Sequence, residues 1–555
     1  MAMKLDGNDP TAAFWELTDD QVAVLRGRGQ VRQTVAGEHL FQQGDPSCDF
    51  FVVLDGEIAL VEPDLSGHRL IGVRGPREIV GELNLLSEEV TYLTATVREP
   101  GSVLVITAAE LRAIVTDDPG FSDFLLRAFL QLRSHLVKLG AGLKIIGSCY
   151  SPHTRRLREF ASRNRLPHDL LDVEGDPVAE SLLRQFHIRP EETPVVFWKG
   201  TDILRNPSNV ELARLLGIGD ELDPLDRYDL IIIGAGPGGL AAAVYGASEG
   251  LHTLMVESIA TGGQAGMASR IENYLGFPAG LSGVELASRA LLQADKFGAS
   301  IAVPREAVGL RREAHGYVVT LASGDEIAGA SIILALGARY RKLGVPGEPE
   351  LEGANVYYAA TEVEAQVCQG QDVAVIGGGN SAGQAALFLA QRGKKVYLVA
   401  RCDDLGEDMS RYLVDRILAT GNIEVVIQTC VRELVGTGEL SQIVVQGMHT
   451  GQQRAIDIAA LFVFIGADAP TAWLAETLAL DEKGFVLTGA TVTSSPAWQG
   501  AARDPFLFET SLPGVFAVGD VRSGAIRRAA SAVGEGSMAV RLCHAYLAEV
   551  SAARG

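Results

Sequence analysis

Cysteine is scarce in this chain: six in 555 residues, at 48, 149, 368, 402, 430 and 543, with no Cys-x-x-Cys pair. That scarcity excludes a disulfide framework and a zinc site built on paired thiolates, so no metal is expected, and it fits the reducing cytoplasm. Long apolar runs are missing as well. Hydrophobic residues make up 47% of the chain, yet no uninterrupted stretch approaches the roughly 18–20 residues that span a bilayer, so no membrane partner is expected. The opening Met1-Ala-Met-Lys-Leu-Asp-Gly-Asn-Asp-Pro10 is polar where a secretory leader needs an apolar segment. Basic runs are absent and the net charge is −21, which argues against nucleic acid. Acidity of this kind serves solubility and names no partner.

Glycine, by contrast, is concentrated in two places that matter. Gly234-Ala-Gly236-Pro-Gly-Gly239 follows the apolar run Tyr228–Ile233, and Gly377-Gly-Gly379-Asn380-Ser381-Ala382 follows Val373–Ile376. A strand, a glycine turn and a helix in that order let backbone approach a pyrophosphate held at the helix N-terminus. One such string is weak evidence, whereas two in the same context point to a protein that brings two nucleotide cofactors together. After the first, the strand Thr253–Val256 ends in Glu257, a carboxylate able to accept from both hydroxyls of an adenosine ribose. At the same offset after the second stand Ala400 and Arg401, so the acid is lost and a counter-charge for a 2′-phosphate is gained. These differences assign FAD to the first site and NADPH to the second. Asp403 and Asp404 nearby keep NADH open, and Arg401 as a plain surface charge is the alternative.

Three modules follow from the pattern along the chain. Residues 1–140 carry short β-like runs (50–54, 57–61, 69–73, 102–106) broken by Gly44-Asp45, Asp55-Gly56 and Gly75-Pro76, then an amphipathic helix over 120–130. With Gly81-Glu82-Leu-Asn-Leu-Leu86 and Ala95-Thr96, this module resembles a cyclic-nucleotide-binding domain, which implies a β-roll. The resemblance implies that Gly81 opens a phosphate cassette, that Glu82 meets the ribose, and that an arginine two residues before Ala95-Thr96 clamps the phosphate. That position holds Leu93, so the cassette is degenerate and a buried phosphate there would lack its charge partner. Residues 141–219 give a βαβαβ order, with Thr193-Pro194 before the last strand. They resemble a glutaredoxin- or thioredoxin-like domain whose proline is cis. Its redox slots hold Ser151 and Thr154, and hydroxyls cannot carry thiol–disulfide exchange. A docking role without redox chemistry is expected.

From about 227 to the end, the chain resembles a low-molecular-weight thioredoxin reductase. Gly262-Gly263-Gln264 with Ile271-Glu-Asn273-Tyr-Leu-Gly-Phe-Pro278 carries the resemblance, as do Ala335-Leu-Gly337-Ala338, Phe464-Ile-Gly466 and Pro513-Gly-Val-Phe-Ala-Val-Gly519-Asp520. So does Arg527-Arg528-Ala529-Ala-Ser-Ala-Val-Gly534. It implies two Rossmann-like domains: FAD in two pieces, 227–345 and 471–555, with the NADPH domain, 346–470, inserted and swinging on connections near Gly344–Glu350 and Gly466–Pro470. It further implies that Gly263, Gln264, Asn273, Gly337, Gly519, Asp520, Arg528 and Ala529 meet FAD, that Gly466 meets NADPH, and that the protein is a homodimer.

The chain departs from the family at the chemistry. The dithiol slots fall at Ala359 and Glu362, in Tyr357-Tyr358-Ala-Ala-Thr-Glu362, and no cysteine occurs between Cys149 and Cys368. Glu362 and Tyr358 are therefore the candidate catalytic groups, since a carboxylate facing the flavin can move a proton; a helix-start surface charge is the alternative for Glu362. The expected activity is an NADPH-dependent FAD oxidoreductase whose electrons go to a small redox protein, a quinone or a small disulfide. A redox or nucleotide sensor built on the same fold is the competing expectation.

Overall fold

The computed structural model describes residues 16–552, apart from 47, 65–66, 82–89, 200–201, 220–221, 223–225, 269–270, 272–273, 352–354, 359, 361–368 and 438. They fall into two compact units: Met1–Leu222 with Glu257–Ala260 and Ile301–Glu306, and Asp223–Val256 with Thr261–Ser300 and Ala307–Gly555.

The first unit begins with α1 (Asp19–Arg26), started by a Thr18 capping box. Next come β1 (Gln30–Gln33), β2 (His39–Phe41), β3 (Phe50–Asp64), β4 (Gly67–Arg74), β5 (Ile79–Val80) and β6 (Thr94–Ile106). They form one antiparallel sheet in the order β1-β6-β3-β4, with β2 on β6 and β5 on β3. The two runs expected at 50–54 and 57–61 are a single strand. Asp55-Gly56 is not a hairpin turn but an irregularity, with register shifts on both sides. Gly56 has φ +87°, and a Cβ there would lie 2.5 Å from the Glu99 carbonyl oxygen, so the strand bends without ending. Helices α2 (Ala108–Asp117) and α3 (Pro119–Lys138) follow, the second started by Asp118, whose carboxylate accepts from the amides of Gly120 and Phe121.

A second sheet in this unit is built from β7 (Leu143–Gly147), β8 (His168–Asp172), β9 (Val195–Trp198) and β10 (Asp202–Arg205), in the order β10-β9-β7-β8. β7 and β8 are parallel, β9 is antiparallel to β7, and α4 (Pro152–Arg163), α5 (Pro177–Gln185) and α6 (Asn209–Leu215) complete the layer. The Thr193–Pro194 peptide is cis. The two sheets are fastened together. Tyr92 and Trp198, both buried, meet edge to face with ring centres 5.3 Å apart, a contact worth about 0.5–1.5 kcal/mol beyond its area. Glu62, 1% exposed, takes Arg69 through both oxygen-facing nitrogens and the Gly142 amide, which is what a buried carboxylate requires.

In the second unit, β11 (Arg227–Ile233), α7 (Pro237–Ser248) and β12 (Thr253–Val256) form a parallel strand–helix–strand. The chain continues through α8 (Gly283–Lys296) and β13 (Ser300–Ala302), and β14 (Ala307–Glu313), β15 (Gly316–Leu321) and β16 (Glu326–Leu334) join the first two strands in a sheet ordered β12-β11-β16-β15-β14. The chain then runs through β17 (Arg339–Tyr340), α9 (Glu348–Leu351) and β18 (Val356–Tyr357) into a second strand–helix–strand. This is β19 (Asp372–Ile376), α10 (Asn380–Ala390) and β20 (Lys395–Val399), extended by α11 (Arg411–Ala419) and β21 (Ile423–Val426). A meander of β22 (Thr429–Thr437), β23 (Glu439–Gly447) and β24 (Gln453–Asp457) leads to β25 (Ala460–Val463), which closes the parallel sheet β18-β25-β19-β20-β21. After β26 (Ala467–Asp468), β27 (Val515–Ala517) adds to β16, and α12 (Ala529–Ala552) packs on α7. The central parallel strands of both sheets read as continuous apolar runs because both faces are covered: Leu230–Ile233 and Val373–Ile376 are all buried. Among the described residues, no helix is long and apolar enough to cross a membrane.

Candidate functional site

Each glycine turn leaves its parallel strand at the carboxyl end and opens a helix, where ligands of such sheets bind. At the first, Gly234 has φ +106°, and a Cβ would lie 2.4 Å from the Ala335 carbonyl oxygen. A Cβ on Gly239 would lie 1.8 Å from the carbonyl oxygen of Gly234, so both positions must be glycine. Gly236 differs. It caps α7 with no side-chain hydrogen bond, and a Cβ there would meet nothing nearer than Gly263 Cα at 4.0 Å. The cap position therefore leaves open space at the positive end of the helix dipole.

The second turn repeats this geometry. Gly377 has φ +142° with the Phe464 carbonyl oxygen 2.3 Å from a Cβ position, while Gly379 caps α10 uncapped by any side chain. Its nearest neighbour to a Cβ is the Asp408 carbonyl oxygen at 4.0 Å. Ala382 is accommodated at the third glycine slot, fully buried. Open cradles over two uncapped helix starts fit two pyrophosphate-bearing cofactors.

The C-terminal segment returns to the first turn. A Cβ on Gly536 of α12 would lie 2.2 Å from the Gly238 carbonyl oxygen, so two glycines let α12 and α7 nearly touch. Just before α12, Gly519 (φ +69°) donates its amide to Glu535 at 2.7 Å, and Glu535 also takes Arg522 at 2.6 Å. Burial pushes the Asp520 carboxyl above the ordinary carboxylate range, against the pull of Arg527. Ala529 opens α12 directly after Arg528, Gln264 donates its side-chain amide to the Ala338 carbonyl, and Gly337 (φ +65°) has open space where a side chain would stand. Glu257 directly follows β12 and accepts from the Ser258 hydroxyl and the Ile259 amide.

Around the second turn, the side-chain oxygen of Asn380 is engaged within the protein. Its amide oxygen accepts both the N–H and the hydroxyl of Ser410. Ser381 and Arg401 are exposed, and Gly466 (φ +101°) is open. Of the candidate catalytic pair, Glu362 lies outside the described residues, as do Asn273 and Glu82. Tyr358 donates its hydroxyl to the buried Glu348, a partner sequence reasoning missed because the pair spans a loop without periodicity.

Within the expected connection at Gly344–Glu350, Pro346 and Gly347 lie against the meander. A Cβ on Gly347 would lie 2.0 Å from the Leu434 carbonyl oxygen and Leu434 donates to Pro346, so this stretch is anchored to the meander. The paired crossing lies earlier, where β17 and β26 form a two-stranded ribbon.

In the N-terminal unit Gly81 and Leu93 are buried. Thr96 pairs with His39 at 2.9 Å, and the Thr94 hydroxyl is occupied by the Gln43 amide at 3.0 Å. Ser151 caps α4 without a side-chain bond, and Thr154 is buried at 1% exposure. Cys149 is the nearby thiol. Burial and the carboxylates of Asp172 and Glu174 push it up to about 11, the reverse of an activated nucleophile. Among the described residues no His, Cys, Asp and Glu cluster could hold a metal ion.

Residues 228–536 match the family model described as pyridine nucleotide-disulphide oxidoreductase, and 31–118 match the cyclic nucleotide-binding domain. The chain is 33% identical over 320 residues to a thioredoxin reductase of Treponema pallidum, covering 58% of this chain and 97% of the relative. It is 34% identical over 329 residues to a thioredoxin reductase of Mycolicibacterium smegmatis, with 58% and 97% covered. The crystal structure of Lactococcus lactis thioredoxin reductase superposes with a TM-score of 0.53 at 29% identity, covering 58% of this chain and 99% of that one.

Proposed function

Since this chain belongs to the pyridine nucleotide-disulphide oxidoreductase family, we propose that it is an NADPH-oxidising FAD enzyme whose electrons leave to an acceptor other than an internal dithiol. One observation carries the reading: two uncapped helix starts open beneath Gly236 and Gly379, in a chain with no cysteine between Cys149 and Cys368. FAD would be held by Gly234, Gly236, Gly239, Glu257, Gly263, Gln264, Gly337, Gly519, Asp520, Arg528 and Ala529. NADPH would be held by Gly377, Gly379, Asn380, Ser381, Arg401 and Gly466. When bound, the flavin supplies a two-electron carrier able to take hydride from the nicotinamide, which demands that the two rings stack.

The chain's own groups bind and orient. The α7 and α10 amides hold the pyrophosphates, and Arg401 offers charge to a 2′-phosphate. Asp520, kept partly out of water, accepts from a ribitol hydroxyl. Glu362 takes the slot of a family cysteine and moves the proton that accompanies electron transfer out, whereas Tyr358 is held by Glu348. The acceptor class is a small redox protein, a quinone or a small disulfide. Residues 141–219 form a thioredoxin-like docking domain, a reading supported by the mixed sheet, Ser151 and Thr154 at the redox slots, and the inert Cys149. A cytoplasmic homodimer completes the proposal.

Anaerobic addition of NADPH to the purified yellow protein tests it. Bleaching of the flavin band, followed by reoxidation with one member of a panel of thioredoxin, ferredoxin, quinone and oxygen, is expected. A colourless protein, or one that never bleaches, rules the enzyme out. Three altered sites, Leu93 in the phosphate slot, Ser151 and Thr154 in the redox slots, and Ala359 and Glu362 in the dithiol slots, favour one second reading, a redox or nucleotide sensor or scaffold that uses the FAD/NADPH fold for regulation rather than turnover. Quinone or ferricyanide turnover no faster than free flavin would select it.

A further inference from the structure

The loop that follows β20 lies against the second glycine turn. A Cβ on Gly378 would stand 3.0 Å from the Cys402 sulfur and 3.7 Å from the Ala400 Cβ. A dinucleotide whose pyrophosphate sits at the start of α10 presents its adenosine ribose to the residues that end β20 and follow it. Those residues are Ala400, Arg401, Cys402, Asp403 and Asp404. Arg401 attracts a 2′-phosphate, whereas a carboxylate on the same loop repels it and accepts from a bare 2′-hydroxyl. Asp404 is engaged as a cap, accepting from the Gly406 amide at 2.8 Å, which leaves Asp403 as the carboxylate whose surroundings matter.

Asp403 is held from outside its loop. Its Oδ1 accepts from the Gln428 side-chain amide at 3.2 Å and lies 3.7 Å from Nε2 of His449, in the turn between β23 and β24. Gln428, between β21 and β22, has φ +50°, a left-handed conformation that side chains of this kind avoid. Three contacts keep it there. Its N–H donates to the Cys402 carbonyl at 3.1 Å, its carbonyl accepts the Met448 amide at 2.8 Å, and its side chain reaches Asp403. One residue thereby fastens the loop carrying Arg401 to the hairpin carrying His449. The cations of the neighbouring strands are engaged elsewhere: Arg432 of β22 donates to Gln446 at 2.7 Å, and Arg454 of β24 meets Glu424 at 3.0 Å.

From this geometry we infer that His449 is a specificity-determining residue of the second nucleotide site, acting through Asp403. It rests on the NADPH assignment proposed above. A protonated imidazole pairs with Asp403 and offsets the charge that repels a 2′-phosphate, so Arg401 attracts the phosphate unopposed. A neutral imidazole leaves Asp403 charged beside Arg401, where it opposes the phosphate and accepts from a ribose hydroxyl instead. The chain therefore favours the 2′-phosphorylated dinucleotide most strongly on the acid side of the His449 titration, and the preference weakens as pH rises through it. The charges that face His449 and its partner are Asp403, Arg401 and Asp404 on the loop, with Arg432 and Arg454 on the flanking strands turned to other groups. Both members of the pair are exposed, His449 by 69% and Asp403 by 72%, so the effect is a few-fold in affinity and is screened by salt.

Calorimetric titration of the full-length, FAD-loaded chain with NADP+ and with NAD+ tests this without turnover, since the two probes differ only in the 2′-phosphate. At low ionic strength and about pH 6, His449→Ala should weaken NADP+ about threefold and leave NAD+ unchanged, the size expected of an exposed pair. At about pH 8 the same substitution should alter neither, because the imidazole has lost its charge. The 2′-phosphate itself takes up a proton near about pH 6, so the pH dependence is read as the difference between His449→Ala and the unmodified chain. Asp403→Asn should tighten NADP+ about threefold at pH 8 and make His449→Ala silent in the double variant. Equal losses of both probes overturn the assignment, as does a loss that is the same at both pH values. A loss that persists in Asp403→Asn also overturns it, since His449 would then act without Asp403. If the unmodified chain binds neither probe, the proposed nucleotide site falls and the role of His449 with it. If both probes bind and His449→Ala changes nothing, only the role of His449 falls.

Discussion

The amide oxygen of Asn380 accepts two hydrogen bonds from Ser410, one from its N–H and one from its hydroxyl, both at 2.7 Å. The first residue of α10 thereby holds the end of the loop that begins at Arg401, and the Asp408 carbonyl comes to lie near Gly379. Asn380→Ala removes both bonds, each worth about 0.5–1.5 kcal/mol. The Michaelis constant for NADPH should rise roughly tenfold, about 1.4 kcal/mol, with FAD content unchanged. A steady-state titration giving an unaltered constant refutes this role for the loop.

Cofactor choice depends on a different group. Arg401→Ala should weaken NADPH far more than NADH, because a charge-assisted contact to phosphate is worth about 1.5–3 kcal/mol. Parallel losses with both nucleotides would show that Arg401 does not read the 2′-phosphate.

The N-terminal roll should bind cyclic AMP and cyclic GMP no more tightly than about 100 μM, a deficit of a few kcal/mol against a competent site. Leu93 offers no charge and is fully buried, and the Thr94 hydroxyl is already taken. Leu93→Arg should partly restore binding while lowering the melting temperature without ligand, since it buries an unpaired guanidinium. Calorimetry on the full chain decides, and micromolar binding by the unmodified protein contradicts the reading.

Cys149 should resist alkylation at pH 8, because its thiol is pushed up to about 11 and the thiolate is the nucleophile. The folded value lies above the unfolded one. Its contribution to stability is therefore complete below the ordinary thiol pKa and is lost as pH rises through about 11. Rapid modification by iodoacetamide in the native protein at pH 8, read by peptide mass, would be incompatible with this environment.

Asp520 trades stability for binding. Its carboxyl is raised by burial, so the charged form is disfavoured in the fold, and stability falls as pH climbs from below the ordinary carboxylate value through the raised one. Asp520→Asn should raise the melting temperature of the flavin-free chain at pH 7 and weaken FAD retention. A lower melting temperature would indicate that the charge is stabilised by its neighbours after all.

Much of the fold was legible because it is locally coded. The apolar runs before Gly234 and Gly377 are strands, and the residues after Gly236 and Gly379 are helices. Turn chemistry misled at Asp55-Gly56, where the pair that often closes a hairpin is instead absorbed into β3 by its long partner β6. Asn380 was legible as a turn residue, while its commitment to Ser410 was not, since nothing in local pattern records a partner thirty positions away.

By itself, the sequence determined that two strand–glycine–helix units exist, that Leu93, Ser151, Thr154, Ala359 and Glu362 stand where other chemistry is expected, and that no paired thiols are available. These are matters of residue identity and short-range spacing. Only the tertiary structure decided that Gly344–Glu350 is anchored, that Glu348 gathers Leu343, Gly344 and Tyr358, and that Cys149 faces Asp172. Burial and charge neighbours depend on which distant segments the core brings together, and that is where a carboxylate gathers three donors and a thiol is pushed up.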